Sequence, residues 1–589
     1  MCGIFVVFSK SKPLNKNKCL KALADIENRG PDISKYNFYE KDTLFIANSV
    51  LSITGKKLVS KKIISSKSNN FDLAFNGEIY NYLDLNFMYN LKSRTEGDAE
   101  TLCDLHDKIN HDDIPIKLNG MFAYVIFDKK NKTLLMANDS QGEKNLYYFD
   151  DKNYFIVSST IKSIYNFCDK SLDLNINTLT GYFQTRHFMN IENTQFKNIK
   201  IFKNSLIASY NLKKDKFIKK YYDNPINWIS KKSYDYFDGL KEKELIEMFN
   251  FELNKQAKLM IPNKKFGTIV SGGIDSSLQA KIINQHSQSY CNIFVDHGLK
   301  KDPISSKISN FNNYFKKNIL KIKMNKSRYR DLLDKCYKIT KSPMYTHELP
   351  SRYLISSEFK KRGCKVFFSA DGCDELLGGQ QIYLDTICKN KIYKKNVSPY
   401  STYFDDYFKK KKISSDEIFV LKLWRKVEQQ YSFINSKRDI NLHSSFFLDY
   451  FIQSISVANR SNDLICCDNS VEPRNLFIQK NILKLILNLP LRYKINFDCK
   501  DKRFSQKYIL KKIFEKYFTK KLIYTKSGFS GFPSDVKIDA IKVKEQIENY
   551  LKIRLKKMAK YYDQKNLARD FYWKLLNLSK FFNSIRIKI

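Results

Sequence analysis

The 589-residue chain carries 103 Lys and Arg against 61 Asp and Glu, a formal net charge of +42, with 43% apolar and 14% aromatic residues. That apolar content excludes wholesale disorder, and the length excludes a single core, so two or more packed domains are expected. The charge alone would suggest nucleic acid or an anionic membrane, but the lysines are spread along the whole chain, no stripe interleaves basic with aromatic residues, and no zinc-finger or RNP-like string occurs. Twelve cysteines without any Cys-x-x-Cys pair argue against a zinc site or a disulfide framework. With no basic-flanked leader and no apolar run of bilayer length, the expectation is a cytoplasmic protein acting on small molecules, with no nucleic acid or membrane as partner.

The N-terminus, Met1-Cys2-Gly3-Ile4-Phe5-Val6-Val7-Phe8, reads as a buried strand that begins at a cysteine. Met1 ahead of a small residue is a target for removal, which would leave Cys2 with a free α-amine beside its thiol, a base and a nucleophile in one residue. Taken alone, Cys2 could equally be a small apolar residue at a strand start. Four further strings follow: Arg29-Gly30-Pro31-Asp32, Ala74-Phe75-Asn76-Gly77-Glu78-Ile79-Tyr80-Asn81, Gly97-Asp98-Ala99-Glu100 and Leu118-Asn119-Gly120-Met121-Phe122-Ala123-Tyr124. Singly, Asn76-Gly77 could be a turn and Asp98 a helix cap.

Together these strings resemble the glutaminase domain of class II, N-terminal-nucleophile amidotransferases. The resemblance implies that Cys2 attacks the side-chain amide of glutamine, that Asn76 and the Gly77 N–H hold the oxyanion, and that Asn76, Gly77, Glu78 and Asp98 bind glutamine, with Asp98 on its α-ammonium. Two positions depart from the family pattern. The family places an arginine before Leu-Ser-Ile to clamp the substrate carboxylate, and here Val50 precedes Leu51-Ser52-Ile53; Asn138-Asp139-Ser140-Gln141-Gly142 likewise has Asn138 where Arg is usual. Another cation then has to reach the site, or the enzyme draws partly on free ammonia.

From about 150 to 221 short apolar runs alternate with polar turns, consistent with closing strands and a linker, and the domain junction is placed between Asn211 and Tyr236. Helical periodicity runs from Glu242 to Met260. Then Phe266-Gly267-Thr268-Ile269-Val270 breaks at Ser271-Gly272-Gly273-Ile274-Asp275-Ser276-Ser277 and restarts as a helix. N–H groups freed at such a helix start, with no Cβ at Gly272 or Gly273, suit a phosphate, and Asp275 beside phosphate calls for a bridging divalent cation. An ordinary strand-to-helix turn is the plain alternative. The string resembles the pyrophosphate loop of ATP pyrophosphatases.

Further strands are expected at Tyr290–Asp296 and Lys365–Ser369, and strand–helix alternation implies a parallel sheet whose ligands sit at the carboxyl ends. Ser369-Ala370-Asp371-Gly372-Cys373-Asp374-Glu375 follows the latter strand. Its three carboxylates would hold a metal, meet a basic partner, exchange protons, or simply cap a helix. With the loop upstream, this string resembles the synthetase domain of glutamine-dependent asparagine synthetases, and the likeness extends over essentially the whole chain.

That resemblance implies an α+β N-terminal-nucleophile sandwich (αββα) over residues 1–215, then an α/β parallel-sheet ATP-pyrophosphatase domain with added helices over 236–589. It implies ATP held by Val270, Ser271, Gly272, Gly273, Asp275, Ser276, Val295, Ser369 and Ala370, Mg²⁺ held by Asp275 and Asp374, and acid/base work by Asp371. Lys526 in Thr525-Lys526-Ser527-Gly528-Phe529 would neutralise charge on pyrophosphate, although in so lysine-rich a chain it also reads as a surface lysine. Ala370 in place of glycine and Asn475-Leu476-Phe477-Ile478-Gln479 in place of Val-Pro-Phe-Leu-Asp are departures. The expected reaction makes asparagine from aspartate, ATP and glutamine; the alternative acceptor is another carboxylate, such as a uronic acid. A homodimer is the expected assembly, and amphipathic basic helices over Ile541–Leu578 are expected to form a surface cover or subunit contact.

Overall fold

The computed structural model describes residues 2–585 apart from 56–61, 93, 96, 170–171, 186–187, 189, 299–307, 345, 381–382, 384–414, 500–504, 524–539 and 552–564. The apolar N-terminal run becomes the strand Gly3–Ser9, which pairs antiparallel with Leu44–Val50 on one side and Tyr154–Ser158 on the other. Its alternate side chains serve two cores. Ile4, Val6 and Phe8 face a second six-stranded sheet through Ala74, Ala123 and Val125, while Phe5 and Val7 pack under the helices Lys16–Ala24 and Ile161–Phe167. Burial on both faces is why the segment reads as a continuous apolar run instead of alternating.

The second sheet runs Lys216–Tyr221, Leu206–Asn211, Thr133–Asn138, Gly120–Asp128, Phe71–Ile79, Ile64–Ser65. Its outer face is covered by the helices Tyr82–Met88 and Asp98–Leu105. The layering is therefore helix, sheet, sheet, helix. Its last strand, Lys216–Tyr221, lies inside the interval in which the sequence places the junction.

The remaining strands form a five-stranded parallel sheet in the order Ile319–Lys323, Tyr290–Asp296, Phe266–Ile269, Val366–Phe368, Glu472–Arg474. The chain starts at the central strand, moves outward twice, then returns to the opposite side of where it began. The order thus reverses between Phe266–Ile269 and Val366–Phe368, and in open α/β sheets the crevice beyond the carboxyl ends at such a reversal binds ligand. Gly267 permits the helix Leu349–Lys361 to lie close on this sheet, since a Cβ there would come within 2.1 Å of the Phe359 ring.

One expectation is corrected. The helix Lys565–Ser584 is not a surface cover: Trp573, Leu575, Leu576, Phe581 and Phe582 are buried in a core shared with the helix Lys326–Thr340, and the Tyr165 hydroxyl of the sandwich donates to Ile585 O at 3.0 Å. An amphipathic pattern alone does not say what covers the apolar face of a helix. Among the described residues no helix is long and apolar enough to cross a membrane.

Candidate active sites

Cys2 is buried, and its N–H donates to Asn76 Oδ1 at 3.1 Å. Asn76 and Gly77 lie inside the strand Phe71–Ile79 and not in a turn. A Cβ at residue 77 would sit 2.1 Å from Met121 O on the neighbouring strand, so only glycine allows that approach. Asn76 Nδ2 is buried with no hydrogen-bond partner among the described residues. An unmet buried donor costs about 1–3 kcal/mol, and an oxyanion arriving beside the Cys2 sulfur would meet it. Burial pushes the Cys2 thiol above its usual range, opposed by the chain's amino terminus and the Leu51 N–H.

The cavity at Cys2 is lined by Asn48, Val50, Gly77, Glu78, Gly97 and Asp98, among others. Asp98 opens its helix, accepting from the Ile79 N–H at 2.9 Å and Thr54 Oγ1 at 3.0 Å. Burial raises its pKa against those bonds, a carboxylate placed to gain from an incoming ammonium. Val50 leaves apolar the piece of wall where the resemblance expects an arginine. Glu78 is drawn two ways: it lines the cavity, and its Oε2 pairs with Arg474 Nη2 at 3.2 Å. Burial pushes it up to about 8 although Arg474 opposes.

At the reversal of the parallel sheet, Val270 continues the central strand, its N–H donating to Ile293 O at 3.0 Å, and Gly272 turns the loop at φ +76°. The helix Ile274–Asn284 starts at Gly273 with Asp275 in its first turn. The loop's own hydroxyls occupy part of the cradle: Ser276 Oγ accepts from the Ser271 N–H at 3.1 Å and Ser271 Oγ from the Gly273 N–H at 3.3 Å. Hydroxyls rotate, so a phosphate can take over those donors. Val295 lies in the neighbouring strand, which ends at Asp296.

On the other side of the reversal, Ser369, Ala370 and Asp371 follow Val366–Phe368. Asp371 is held in a fork: Arg352 Nη2 donates to Oδ1 at 2.7 Å and Nη1 to Oδ2 at 3.0 Å, with Asn462 Nδ2 at 2.8 Å and Ser369 Oγ at 3.0 Å on Oδ2. Burial raises its pKa, but the guanidinium outweighs this and holds the carboxyl below its usual range. A carboxylate so stabilised is a weak proton acceptor. The two carboxylates expected to hold metal do come together, Asp275 and Asp374, but the ammonium of Lys507 sits between them, paired with Asp275 and 2.6 Å from Asp374 Oδ1. Among the described residues Asp275 Oδ1, which is buried, has no hydrogen-bond partner, as a ligand oxygen awaiting a cation would have none. Lys526 lies outside the described residues.

The two sites share buried charges. Arg29 donates to Cys2 O at 3.1 Å and pairs with Asp463 Oδ1 at 2.8 Å, so a residue of the second half anchors the arginine that holds the Cys2 backbone. Arg474, from the strand Glu472–Arg474, bridges Glu472 and Glu78, and Lys144 lies 3.7 Å from Glu472.

Residues 1–222 match the family model described as a glutamine amidotransferase domain, and residues 255–574, more than half of the chain, match that described as asparagine synthase. The chain belongs to the asparagine synthase family. Its relatives include a Methanocaldococcus jannaschii protein named "Putative asparagine synthetase (glutamine-hydrolyzing) 2", 30% identical over 65% of this chain and 76% of that one. The asparagine synthetase (glutamine-hydrolyzing) of Bos taurus is 24% identical over 64% of this chain and 66% of its own. Membership makes this chain an enzyme, a glutamine-dependent carbon–nitrogen ligase whose synthase half uses ATP.

Sequence reasoning within the family pattern missed Arg352, Lys507 and Arg474 as organisers of these sites. Arg474 closes the short buried strand Glu472–Arg474, and the signal available in the sequence was two opposite charges two residues apart after Val471. Nothing in the residues around Arg352 or Lys507 marks them among the other basic residues.

Proposed function

We propose that the enzyme makes asparagine. Cys2 attacks the glutamine amide carbon, its thiol proton passing to the α-amine freed by removal of Met1 and from there to the leaving nitrogen, so that ammonia departs and a thioester forms, which water hydrolyses to glutamate and free Cys2. Asn76 Nδ2 and the Gly77 N–H hold the oxyanion, and Asp98 takes the α-ammonium. At the second site the β-carboxylate of aspartate attacks the α-phosphorus of ATP, releasing pyrophosphate; ammonia then attacks the acyl carbon, and AMP leaves. Val270, Ser271, Gly272, Gly273, Ser276, Val295, Ser369 and Ala370 line the nucleotide. Asp275 and Asp374 suit Mg²⁺, which binds through one or two carboxylates plus phosphate oxygens and would neutralise charge gathering on pyrophosphate. Lys507 adds positive charge to the same end, and the family resemblance gives Lys526 the task of neutralising pyrophosphate. Asp371, kept ionised by Arg352, attracts the ammonium that develops as ammonia attacks, more than it accepts a proton.

The observation that carries the reading is the meeting of Asp275 and Asp374, from the first turns of two separate helices, about Lys507 at the sheet reversal. A second acceptor, another carboxylate such as a uronic acid, is favoured by one feature: Arg352 and Asn462 close around Asp371 where the acceptor would approach. Mass-spectrometric product analysis with ATP, ammonium and a panel of carboxylates tests both. Asparagine and AMP in equal amounts are expected from aspartate; turnover confined to another carboxylate selects the second reading, and no AMP from any carboxylate rejects adenylation.

A further inference from the structure

The cavity at Cys2 has a carboxylate for the substrate ammonium but, at Val50, no cation for the substrate carboxylate. Glutamine carries both charges, so a pocket with only one partner leaves the other desolvated and unpaired. The question is which cation can reach this wall.

Lys35 lies in the strand Ile33–Tyr39, the edge strand beside Leu44–Val50. In the register between them Lys35 stands opposite Asn48, and Ile33 opposite Val50. Lys35, Asn48 and Val50 therefore project from one face, with Val50 the diagonal neighbour of Lys35, a spacing of about 7–8 Å that long side chains span. That face is the inner one: Asn48 Nδ2 donates to Gly3 O at 2.8 Å and to Phe75 O of the opposing sheet at 3.0 Å, and both Asn48 and Val50 line the cavity. The residue next to Lys35 behaves oppositely, since Tyr36 is exposed and packs its ring on Phe45 of the outer core.

An edge-strand lysine would ordinarily extend into water. Lys35 is instead only 3% exposed, and it makes no hydrogen bond or ion pair with any described residue. Burial lowers its pKa, and the attraction of the Cys2 sulfur is the opposing influence, which places the ammonium in the electrostatic neighbourhood of the nucleophile. Lys35 is not itself among the lining residues, so its ammonium has to reach into the cavity, and an ammonium on a largely buried side chain without a counterion is unfavourable unless a ligand supplies one.

We propose that Lys35 is the carboxylate clamp of the glutamine pocket, reaching from the edge strand to bind the substrate α-carboxylate on the wall that Val50 leaves apolar. The pocket then holds glutamine by Asp98 at one charge and Lys35 at the other, with the side-chain amide directed at Cys2. A lysine makes this contact as a compact charge, whereas an arginine from position 50 would make it with a two-pronged guanidinium. The proposal rests on Cys2 being the glutamine nucleophile.

Covalent labelling of Cys2 by two reagents separates binding from thiol reactivity. The glutamine analogue 6-diazo-5-oxo-L-norleucine carries the α-carboxylate and α-ammonium; iodoacetamide carries neither. In Lys35→Met the analogue concentration giving half-maximal labelling rate should rise about tenfold or more, as expected for loss of a hydrogen bond between charged groups, while the iodoacetamide rate stays within about twofold. Adding Val50→Arg to Lys35→Met should recover much of the loss, and a matched unfolding temperature establishes that the variants fold. An unchanged concentration dependence in Lys35→Met, or an equal slowing with both reagents, overturns the clamp while leaving Cys2 as nucleophile. Failure of either reagent to label Cys2 in the unsubstituted protein overturns the nucleophile and the clamp together.

Discussion

In the proposed glutamine site, Cys2, Asn76 and Asp98 would act through what they lack as much as through what they hold. The Asn76 Nδ2, unmet among the described residues, and the buried Asp98 carboxylate are each unfavourable, and bound glutamine would relieve both. Cys2→Ala should abolish glutamine-driven product and leave ammonia-driven product, read by amide formation with each donor; equal loss of both would contradict the two-site scheme. Asn76→Ala should lower glutaminase kcat by about 10²–10³-fold with little change in KM, the cost of one oxyanion donor. Asp371 yields a pH statement. Its folded-state pKa is depressed by Arg352, so its contribution to stability is complete above the unfolded value of about 3.9 and is lost as acid protonates the pair. It is therefore ionised from pH 5 upward, and Asp371→Asn should lower the height of the ammonia-driven pH profile without moving its acid limb; a limb that moves would make Asp371 the titrating base. At this scale the motifs nominate Cys2, Asn76, Asp98 and Asp371, the residues on which the proposal is built. Lys35, Arg352 and Lys507 were illegible, because 103 basic residues form no pattern and only register and packing single out the few that are buried.

The elements were more legible than their partners. The strand Tyr290–Asp296, the helix Glu242–Met260 and the break from strand to helix at Ser271–Gly273 follow from β-branched runs, 3.6-residue periodicity and paired glycines, and they stand where the sequence puts them. What the sequence did not disclose is the strand order, which comes from long-range packing and which alone brings Asp275 to Asp374. Gly267 is the pin of that arrangement. Gly267→Ala would drive a methyl into the Phe359 ring, and it should destabilise the protein by about 1–3 kcal/mol in denaturant unfolding. The KM for ATP should rise with it, since the same strand carries the phosphate loop; unchanged stability would mean the helix Leu349–Lys361 yields freely. Removing divalent cations with a chelator should stop AMP formation and excess Mg²⁺ should restore it, whereas AMP formation unaffected by chelation would leave Lys507 as the sole counter-charge for Asp275 and Asp374.

Across the molecule, the two halves meet through charges that neither could bury alone. Arg474 stands between Glu472 and Glu78, and Arg29 between Cys2 O and Asp463, so each site leans on a residue from the other half. Glu472 is held low by Lys144, the amino terminus and Arg474 despite its burial, and it depends on all three. Arg474→Met should cost about 3–5 kcal/mol, since it strips the buried carboxylates Glu78 and Glu472 of the guanidinium they share and leaves Lys144 to Glu472 alone. It should also raise the glutamate released per product formed, the signature of uncoupled sites. The most direct test of the whole account follows one oxygen: aspartate labelled with ¹⁸O in its β-carboxylate, turned over with ATP and glutamine, should give AMP carrying one ¹⁸O in its phosphate, whereas unlabelled AMP, or ADP in its place, would contradict activation by adenylation.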